Sequence, residues 1–394
     1  MNNSIDQTRQ RLREAMPVAQ RWAYFDHAAV APVSGPAAAA MQTWVEQSVA
    51  EGDTMWPEWG RQLKAMRQSA ANLIFASTDE ITLVPNTTAG INLVAEGLDW
   101  SPGDNLVTLA DEYPSNLYPW MHLADRGVET RRVPTVDGVV DYNQLADHCD
   151  ERTRLITVSW VAFSNGCRRD LDAIAEIAAQ KGTLLFVDAI QGLGVFPLDV
   201  RRTPIDFLAA DGHKWLLGPE GAGIAYIRRD RLPLLRATAV GAHSVVHAYD
   251  YTHIELKLKQ DASRYEGGSL NVPGMFGLGA SIDLLQSLGV ENVAASILDI
   301  TDHLCDRLRE GGFRVVSPRD GEQRSGIVSF EFPGADVMAV RRHCLEQNVA
   351  LACRAGRIRA SAHAYNNADD VGKLLESLKT FRQESQFQSQ PSSD

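Results

Sequence analysis

Short apolar runs alternate with longer segments of helical periodicity through the first two thirds of the chain. The runs are "EITLV", "DNLVTL", "RLITVSWV", "GTLLFVDA", "DFLAA" and "GAGIAYI", and segments such as "DLDAIAEIAAQKG" separate them. Runs of four to eight apolar residues predict strands, and the longer segments predict helices. This alternation is typical of a mostly parallel sheet with helices on both faces. We therefore predict an α/β fold.

The pattern changes after "SLNVPGMFGLGASIDLLQSLG". The later runs "GFRVVS", "SGIVSFEF", "VALACR" and "GRIRAS" are short and are separated by helical segments, as in a smaller domain with partly antiparallel strands. We predict a large domain over residues 21–284 and a small α+β domain over residues 285–382. Residues 1–20 are expected to form an N-terminal arm associated with the small domain. Residues 383–394 look too polar to pack and are expected to be disordered.

Composition and charge narrow the class of function. The chain has 394 residues, with 44% hydrophobic and 22% charged residues, as in ordinary globular proteins. Its net charge of -12 disfavours binding to nucleic acid or to an anionic membrane surface. No apolar run approaches the ~20 residues that span a bilayer, and the N-terminus lacks a secretory signal, so we expect a cytoplasmic protein. Five scattered cysteines predict neither a disulfide framework nor a metal site.

Turns that follow predicted strands carry the candidate chemistry, because ligands of open α/β sheets bind beyond the carboxyl ends of the strands. In "LVPNTTAGINLV", Thr87 and Thr88 begin an apolar helix, where hydroxyls and free N–H groups suit a phosphate. Simple helix capping would also explain them. In "LLFVDAIQGLG", Asp188 ends an apolar run and requires a cationic or proton-donating partner, unless it caps a helix.

Two further turns add a lysine and a second anion site. In "DFLAADGHKWLLGPEG", Lys214 follows His213 between two apolar runs, where an unpaired ammonium is costly to bury. The alternative is a surface turn from which Lys214 extends to solvent. In "RYEGGSLNVPG", the glycines and Ser269 can approach an anion, or simply form a loop. Together the four turns supply what a pyridoxal 5'-phosphate (PLP) enzyme needs.

The chain resembles, over nearly its whole length, the class V aminotransferase family of fold type I PLP enzymes. The matching stretches are "YFDHAAVAP", "NTTAGINLV", "DEYPSNLYPW", "VDAIQGLG", "DGHKWLLGPEG", "RYEGGSLN" and "RIRASAHAYNNADD". This family includes cysteine desulfurases, selenocysteine lyases, kynureninases and isopenicillin N epimerase. The resemblance implies PLP as the cofactor and the fold type I architecture, with a sheet of the seven-stranded type in the large domain.

The resemblance also implies roles for individual residues. Lys214 would form the Schiff base with the cofactor, and Asp188 would pair with its pyridine nitrogen. Tyr113 stands where desulfurases have a histidine that stacks on the ring. It would still stack but, with an unperturbed pKa of about 10, would be a weaker acid–base candidate near neutrality than that histidine. Arg359 would bind the substrate carboxylate through its two-pronged guanidinium. The other implied cofactor contacts come from Gln191 to the phenolic oxygen, from Thr87, Thr88 and His213 to the phosphate, and from Ser269 to the phosphate of the other subunit in a homodimer.

The chain departs from the family pattern at other positions as well. Desulfurases carry a nucleophilic cysteine on a loop before the carboxylate-binding arginine, but here residues 354–356 run directly into "RIRAS". Cys353 precedes them in a strand-like pattern, which disfavours a persulfide-forming enzyme. Phe163 replaces an asparagine near the ring. Asp211 stands where many relatives have serine or threonine, and repulsion by the phosphate predicts that it turns elsewhere.

These features predict a PLP enzyme of the transaminase or C–S/C–Se lyase type that acts at the α-carbon of an amino acid, as a homodimer with shared active sites. An epimerase resembling isopenicillin N epimerase and a kynureninase-like hydrolase stay open, because such reactions begin at the same carbon. A persulfide-forming cysteine desulfurase is a disfavoured alternative. The fourth alternative is a non-catalytic binding protein that retains the fold, against which Lys214, Asp188 and Arg359 argue.

Overall fold

A computed structural model of the chain describes residues 2–388, and strands and helices are numbered here in chain order. Seven strands form the central sheet: β2 (Ile81–Val84), β3 (Asn105–Leu109), β4 (Glu129–Val133), β5 (Thr153–Ser159), β6 (Leu184–Asp188), β7 (Phe207–Asp211) and β8 (Gly223–Ile227). Their spatial order is β2-β8-β7-β6-β5-β3-β4. All neighbours are parallel except β8, which is antiparallel to β2 and β7. The predicted mostly parallel α/β fold is confirmed.

Strand β4 was not predicted from the hydrophobic pattern. Its sequence "ETRRV" has a single apolar residue, and it lies at the edge of the sheet with one neighbour. Edge strands tolerate charged side chains, which also discourage pairing with other chains. The pattern that identifies buried strands therefore does not apply to it.

Helices cover both faces of the central sheet, because consecutive strand residues point to opposite faces and each face is apolar. Leu106 and Val107, for example, belong to two different core clusters. The helices are α1 (Asn2–Glu14), α2 (Gly35–Glu51), α3 (Trp56–Leu73), α4 (Thr87–Gly97), α5 (Tyr118–His122), α6 (Tyr142–Asp147), α7 (Leu171–Lys181), α8 (Val272–Leu288), α9 (Val290–Glu310), α10 (Val337–Glu346) and α11 (Ala368–Gln388). Within residues 2–388, no helix combines the length and apolarity needed to cross a bilayer.

A second sheet forms in the C-terminal part of the chain and has its own apolar core. Its strands are β9 (Arg314–Val315), β10 (Ile327–Glu331), β12 (Ala352–Arg354) and β13 (Arg357–Ser361), in the antiparallel order β12-β13-β10-β9. The remaining strands, β1 (Ala23–Tyr24) and β11 (Val349–Ala350), pair in parallel.

The turn between β12 and β13 consists of Ala355 and Gly356. Both residues have positive φ, 50° and 71°, as tight two-residue hairpins require. In the structure, therefore, the direct run of residues 354–356 into "RIRAS" is a tight hairpin, with no longer loop between the two strands. The predicted domain boundaries stay a prediction.

The N-terminal helix contacts the C-terminal part of the chain through Arg13, whose guanidinium lies 2.8 Å from Asp370. Helix α11 extends to Gln388 and so includes the first six residues of the segment predicted to be disordered, residues 383–388. Arg382 stacks 4.5 Å from the Phe313 ring centroid, and a helix anchored in this way propagates at little cost through a few polar residues. The rest of the predicted disordered tail, residues 389–394, lies outside the described residues.

Candidate active site

A cavity of about 340 Å³ lies between the central sheet and the β12–β13 hairpin. It collects side chains from the turns after β2, β6 and β7, which places the predicted phosphate, ring-nitrogen and lysine positions around one space. The predicted site residues that line it are Thr87, Thr88, Tyr113, Asp188, Gln191, His213, Lys214 and Arg359. Ser269, the remaining predicted residue, is exposed and lies outside this cavity.

Lys214 lines the cavity on the turn that follows β7. Burial lowers the pKa of its ammonium, and the opposing charge of Asp188 only partly offsets that effect. A lowered pKa increases the fraction of neutral amine, which is the form that attacks an aldehyde. Its Nζ lies 5.6 Å from the centroid of the Tyr113 ring. The surface-turn alternative for Lys214 is therefore wrong.

Asp188 is the last residue of β6 and is 2% exposed. Burial raises the pKa of its carboxyl, and the negative charge of Glu112 adds to that effect. One carboxylate oxygen accepts a hydrogen bond from the Ile190 N–H at 3.1 Å. Residues 190–195 form turns and not a helix, so the helix-capping alternative does not apply. A buried carboxylate in this position is stabilised by a cationic N–H donor, such as a protonated ring nitrogen.

The start of α4 is capped by Asn86, whose Oδ1 accepts a hydrogen bond from the Ala89 N–H at 2.9 Å. The capping alternative for Thr87 and Thr88 is therefore wrong. The buried Oγ1 of Thr87 has no hydrogen-bond partner within the described chain. A free hydroxyl at a helix N-terminus suits a phosphate, since the first N–H groups and the helix dipole favour an anion there.

Asp211 lines the cavity, so the expectation that it turns elsewhere is wrong. It ends β7, and its Oδ2 lies 3.0 Å from Nδ1 of His213. Nδ1 of His213 and Oδ1 of Asp211 have no hydrogen-bond partner within residues 2–388, so the contact between the two side chains is one of distance only. Asp211 also acts electrostatically on Lys214, where its negative charge favours the ammonium form.

Gln191 is held in one orientation by two hydrogen bonds. Its Oε1 accepts from Nε1 of Trp215 at 2.7 Å, and its Nε2 donates to the Ala28 carbonyl at 3.0 Å. An amide nitrogen carries two hydrogens, so Nε2 keeps one for an acceptor in the cavity. Trp215 therefore orients a donor toward the position that the resemblance assigns to the phenolic oxygen.

Arg359 is buried on β13 and has unused hydrogen-bonding capacity. Its Nη1 donates to the Phe163 carbonyl at 2.7 Å, while Nη2 lies 3.5 Å from Asp26 Oδ1. Nε and Nη2 have no hydrogen-bond partner within residues 2–388. Burial lowers the pKa of Arg359 to about 10. A guanidinium with two free N–H groups suits a carboxylate. Phe163 also packs against Tyr113, with ring centroids 5.2 Å apart.

Comparison with known protein families agrees with this geometry. The profile of the family described as Aminotransferase class-V matches residues 23–374. The chain belongs to this family. Class V aminotransferases of this kind are PLP-dependent, so PLP is the cofactor and the protein is an enzyme. The alternative of a non-catalytic binding protein is therefore wrong.

Individual relatives of this class V enzyme carry names that refer to sulfur chemistry. A probable cysteine desulfurase of Methanothermobacter thermautotrophicus is 32% identical, and the match covers 93% of this chain and 96% of the relative. The solved apo cysteine desulfurase of Thermococcus onnurineus NA1 has a TM-score of 0.87 and 25% identity, over 95% of this chain and 98% of that one. A cystine C–S lyase bound to its product, cysteine persulfide, has a TM-score of 0.86 and 25% identity, over 92% and 98%.

The free polar atoms of the cavity fit PLP. The unpartnered Thr87 hydroxyl and the start of α4 match its phosphate, the buried Asp188 carboxylate matches its ring nitrogen, and Lys214 matches its aldehyde. The unused N–H groups of Arg359 are left for a substrate carboxylate. The assignment of each residue to its contact stays a proposal.

None of the five cysteines of this class V enzyme lines the cavity. Cys353 lies nearest in sequence to the site, on β12, and its Sγ donates to the Val337 carbonyl at 3.1 Å. Burial raises the pKa of this thiol, which disfavours the thiolate that acts as a nucleophile.

Sequence reasoning missed several residues of the site. Arg354 lines the cavity, but its direction follows from the hairpin and not from any local motif. Glu112 and Arg169 form a buried ion pair at 2.7 Å, close enough to Asp188 for both charges to affect its pKa. They lie 57 residues apart in sequence, and nothing local marks them as partners. Ser115 lies within a quoted family motif and also lines the cavity.

Proposed function

We propose that this enzyme cleaves the C–S bond of a sulfur-containing amino acid, with PLP bound covalently through Lys214. The observation that carries the proposal is the convergence of Lys214, Asp188 and Arg359 on one cavity, where Nε and Nη2 of Arg359 have no hydrogen-bond partner within residues 2–388. The names of the relatives support the choice of sulfur chemistry within the family.

PLP, when bound, withdraws electrons from the α-carbon of the substrate. Arg359 holds the substrate carboxylate and thereby orients the α-carbon toward Lys214. Lys214 would take the α-proton as a neutral amine, which its lowered pKa favours. Asp188 keeps the ring nitrogen protonated, and Gln191 donates to the phenolic oxygen.

The sulfur can leave in two ways, and the position of Cys353 favours elimination. In elimination the α-proton is removed, the Cβ–S bond breaks, and sulfur departs with the bonding electrons. The products after hydrolysis are pyruvate, ammonia and the sulfur compound. No protein thiol takes part, which fits a cavity without a cysteine in its lining.

The second candidate is the persulfide-forming cysteine desulfurase, and the names of the relatives favour it over the broader reading from the sequence. There a protein thiolate takes the sulfur of cysteine, which leaves alanine and an enzyme persulfide. This version requires Cys353 to reach the cavity, from which its present hydrogen bond to Val337 directs it away. No observation favours transamination, epimerisation or a kynureninase-like hydrolysis over these two.

The oligomeric state and the cellular location of the enzyme are also proposals. We infer a homodimer in which Ser269 reaches the phosphate of the partner's site, since this exposed residue lies outside its own cavity. A cytoplasmic location is supported by the five cysteines, all of which are free.

The test is a product analysis of the purified PLP enzyme with L-cysteine, L-cystine and S-alkyl-L-cysteines. Elimination predicts pyruvate and ammonia in equal amounts with the released sulfur compound. Alanine together with a persulfide on Cys353 would establish the second candidate instead. A keto acid that retains the sulfur would overturn C–S cleavage in favour of transamination. The matched control is Lys214→Ala, which should form none of these products.

A further inference from the structure

Arg354 brings a second guanidinium into the cavity beside Arg359. It is half-buried at the end of β12, and the hydrogen bond recorded for it runs from Nη1 to the carbonyl of Cys353 at 2.8 Å. Among residues 2–388, no carboxylate forms an ion pair with Arg354. Arg357, its neighbour across the hairpin, lies 3.5 Å from Glu331. The described residues therefore give Arg354 no ion pair, although Asp26 lies close enough for the positive charge of Arg354 to oppose the burial that raises the pKa of Asp26.

The hairpin fixes the spacing of the two cavity arginines. Arg354 lies opposite Arg357 and Ala352 lies opposite Arg359, so Arg354 and Arg359 are diagonal neighbours on one face. Diagonal positions of this kind are roughly 7–8 Å apart. Two long guanidinium side chains at this spacing can grip two anions on one extended small molecule.

The phosphate of PLP and the α-carboxylate of the substrate already have proposed positions elsewhere in the cavity. The proposed phosphate position is at the start of α4, and the proposed α-carboxylate position is at Arg359. Arg354 is close enough to Lys214 and Arg359 for its charge to lower the pKa of both. Asp26 forms its recorded ion pair with Arg359, at 3.5 Å, so an additional anion beside Arg354 would give this second guanidinium a partner of its own.

We propose that Arg354 binds an anionic group at the far end of the substrate side chain. The substrate class is then a cysteine derivative whose sulfur carries a distal carboxylate or a sulfur oxyanion. This inference rests on the proposed C–S cleavage and specifies its substrate. A neutral side chain of the same size would leave the guanidinium desolvated without a partner, and such sites discriminate strongly against analogues that lack the polar group.

The test compares kcat/KM for S-carboxymethyl-L-cysteine with that for S-ethyl-L-cysteine. We expect the wild-type enzyme to prefer the anionic substrate, and Arg354→Gln to lower this preference roughly 30-fold. The matched control is Arg357→Gln, which removes the same charge from the same hairpin outside the cavity. Its preference should stay within about twofold of the wild type. S-sulfo-L-cysteine distinguishes a sulfur oxyanion from a carboxylate as the preferred group.

An unchanged preference in Arg354→Gln, or no preference in the wild type, would overturn the inference. Should Arg354→Gln fold poorly, Arg354→Lys provides a second variant that keeps the charge but loses the two-pronged geometry, and we expect about a tenfold loss of preference.

A binding measurement separates this inference from the proposed function. Titration of the wild-type enzyme with L-glutamate and L-glutamine, followed by the visible absorbance of bound PLP, requires no sulfur chemistry. If no sulfur compound is released from any substrate, C–S cleavage is wrong. In that case tighter binding of glutamate than glutamine, abolished in Arg354→Gln, would still establish the anion site. Equal binding of the two amino acids by both proteins would contradict it.

Discussion

Cys353 and Arg354 are consecutive residues of β12, and their side chains lie on opposite faces of the β12–β13 hairpin. Cys353 opposes Ile358, a residue of the C-terminal apolar core, whereas Arg354 lines the cavity. Side chains alternate along a strand, so a shift of one residue would exchange the two positions. The register of this hairpin thus decides whether a thiol or a guanidinium faces the substrate.

From this relationship we expect Cys353→Ser to keep turnover within about threefold of the wild type. The serine hydroxyl can donate to the Val337 carbonyl in place of the thiol, so the fold should hold. Steady-state product formation and the absorbance of bound PLP measure the two effects. Inactivity of this variant with full cofactor content, together with a trapped persulfide on Cys353 of the wild type, would establish the desulfurase mechanism.

Lys214→Ala should purify folded but lack the visible absorbance that borohydride removes in the wild type. Turnover should fall at least ~1000-fold, because both the covalent anchor of the cofactor and the base are lost. The control is Lys181→Ala, which removes an exposed lysine at the end of α7. Near-normal turnover in Lys214→Ala would contradict the assignment of the Schiff base.

Arg359→Lys should raise the Michaelis constant ~30- to 150-fold, equivalent to a loss of roughly 2–3 kcal/mol in substrate binding. A lysine at this buried position keeps a charge but cannot present two parallel N–H groups to a carboxylate. Initial rates over a wide range of substrate concentration separate KM from kcat. Arg357→Lys, two positions earlier on β13, is the control and should leave KM unchanged. An equally small effect of both substitutions would remove Arg359 from the substrate site.

Much of this site could be predicted from the sequence, because the fold itself gathers it. Parallel strands bring their carboxyl ends to one edge of the sheet, so turns at positions 86–88, 188 and 214 meet although they are far apart along the chain. Buried strands and helix starts have strong local patterns. Strand β4 lacks such a pattern, since its charged residues suit an edge position.

Other features depend on contacts that no local pattern records. The direction of Arg354 depends on the register of a hairpin, and the burial of Glu112 depends on Arg169 from a distant turn. Asp211 was expected to avoid the site because a phosphate would repel it, and its position 3.0 Å from His213 depends on the conformation of the turn after β7, which no local pattern records. Long-range pairing of charges therefore sets the limit of what this sequence reveals.

Two buried histidines predict a loss of stability in mild acid. Burial lowers the pKa of His363 to about 4, and it also lowers the pKa of His27, whose ring centroid lies 5.3 Å away. Between pH 6.5 and 4 the unfolded chain therefore binds more protons than the folded one. The stabilising contribution of His363 is complete above pH 6.5 and decreases as pH falls, by up to about 1.4 kcal/mol per pH unit.

Urea unfolding of the PLP enzyme between pH 7.5 and 5.5 measures this effect. We expect the free energy of unfolding to depend less steeply on pH in His363→Gln than in the wild type. The comparison uses the difference in slope between the two proteins, because the other titrating groups contribute equally to both. His303→Gln, at an exposed position of α9, is the control and should keep the wild-type slope. Identical slopes in all three proteins would contradict the prediction.

Ser269 leads to a prediction about assembly, because it is exposed and lies outside the cavity of its own chain. Large apolar side chains at Tyr249, Ile254 and Leu256, in the segment that precedes it, are also exposed. Exposed apolar surface of this kind is typical of a protein–protein interface. We expect the enzyme to sediment as a dimer at micromolar concentration with PLP bound.

If Ser269 donates to the phosphate of the partner's site, Ser269→Ala should weaken PLP binding about tenfold, as expected for the loss of a hydrogen bond to a charged group. Equilibrium dialysis of the apoprotein with PLP measures this affinity. Ser287→Ala, at an exposed position of α8, is the matched control and should bind PLP as the wild type does. A monomer that retains PLP at full affinity would show that each chain completes its own site, and Ser269 would then have no part in cofactor binding.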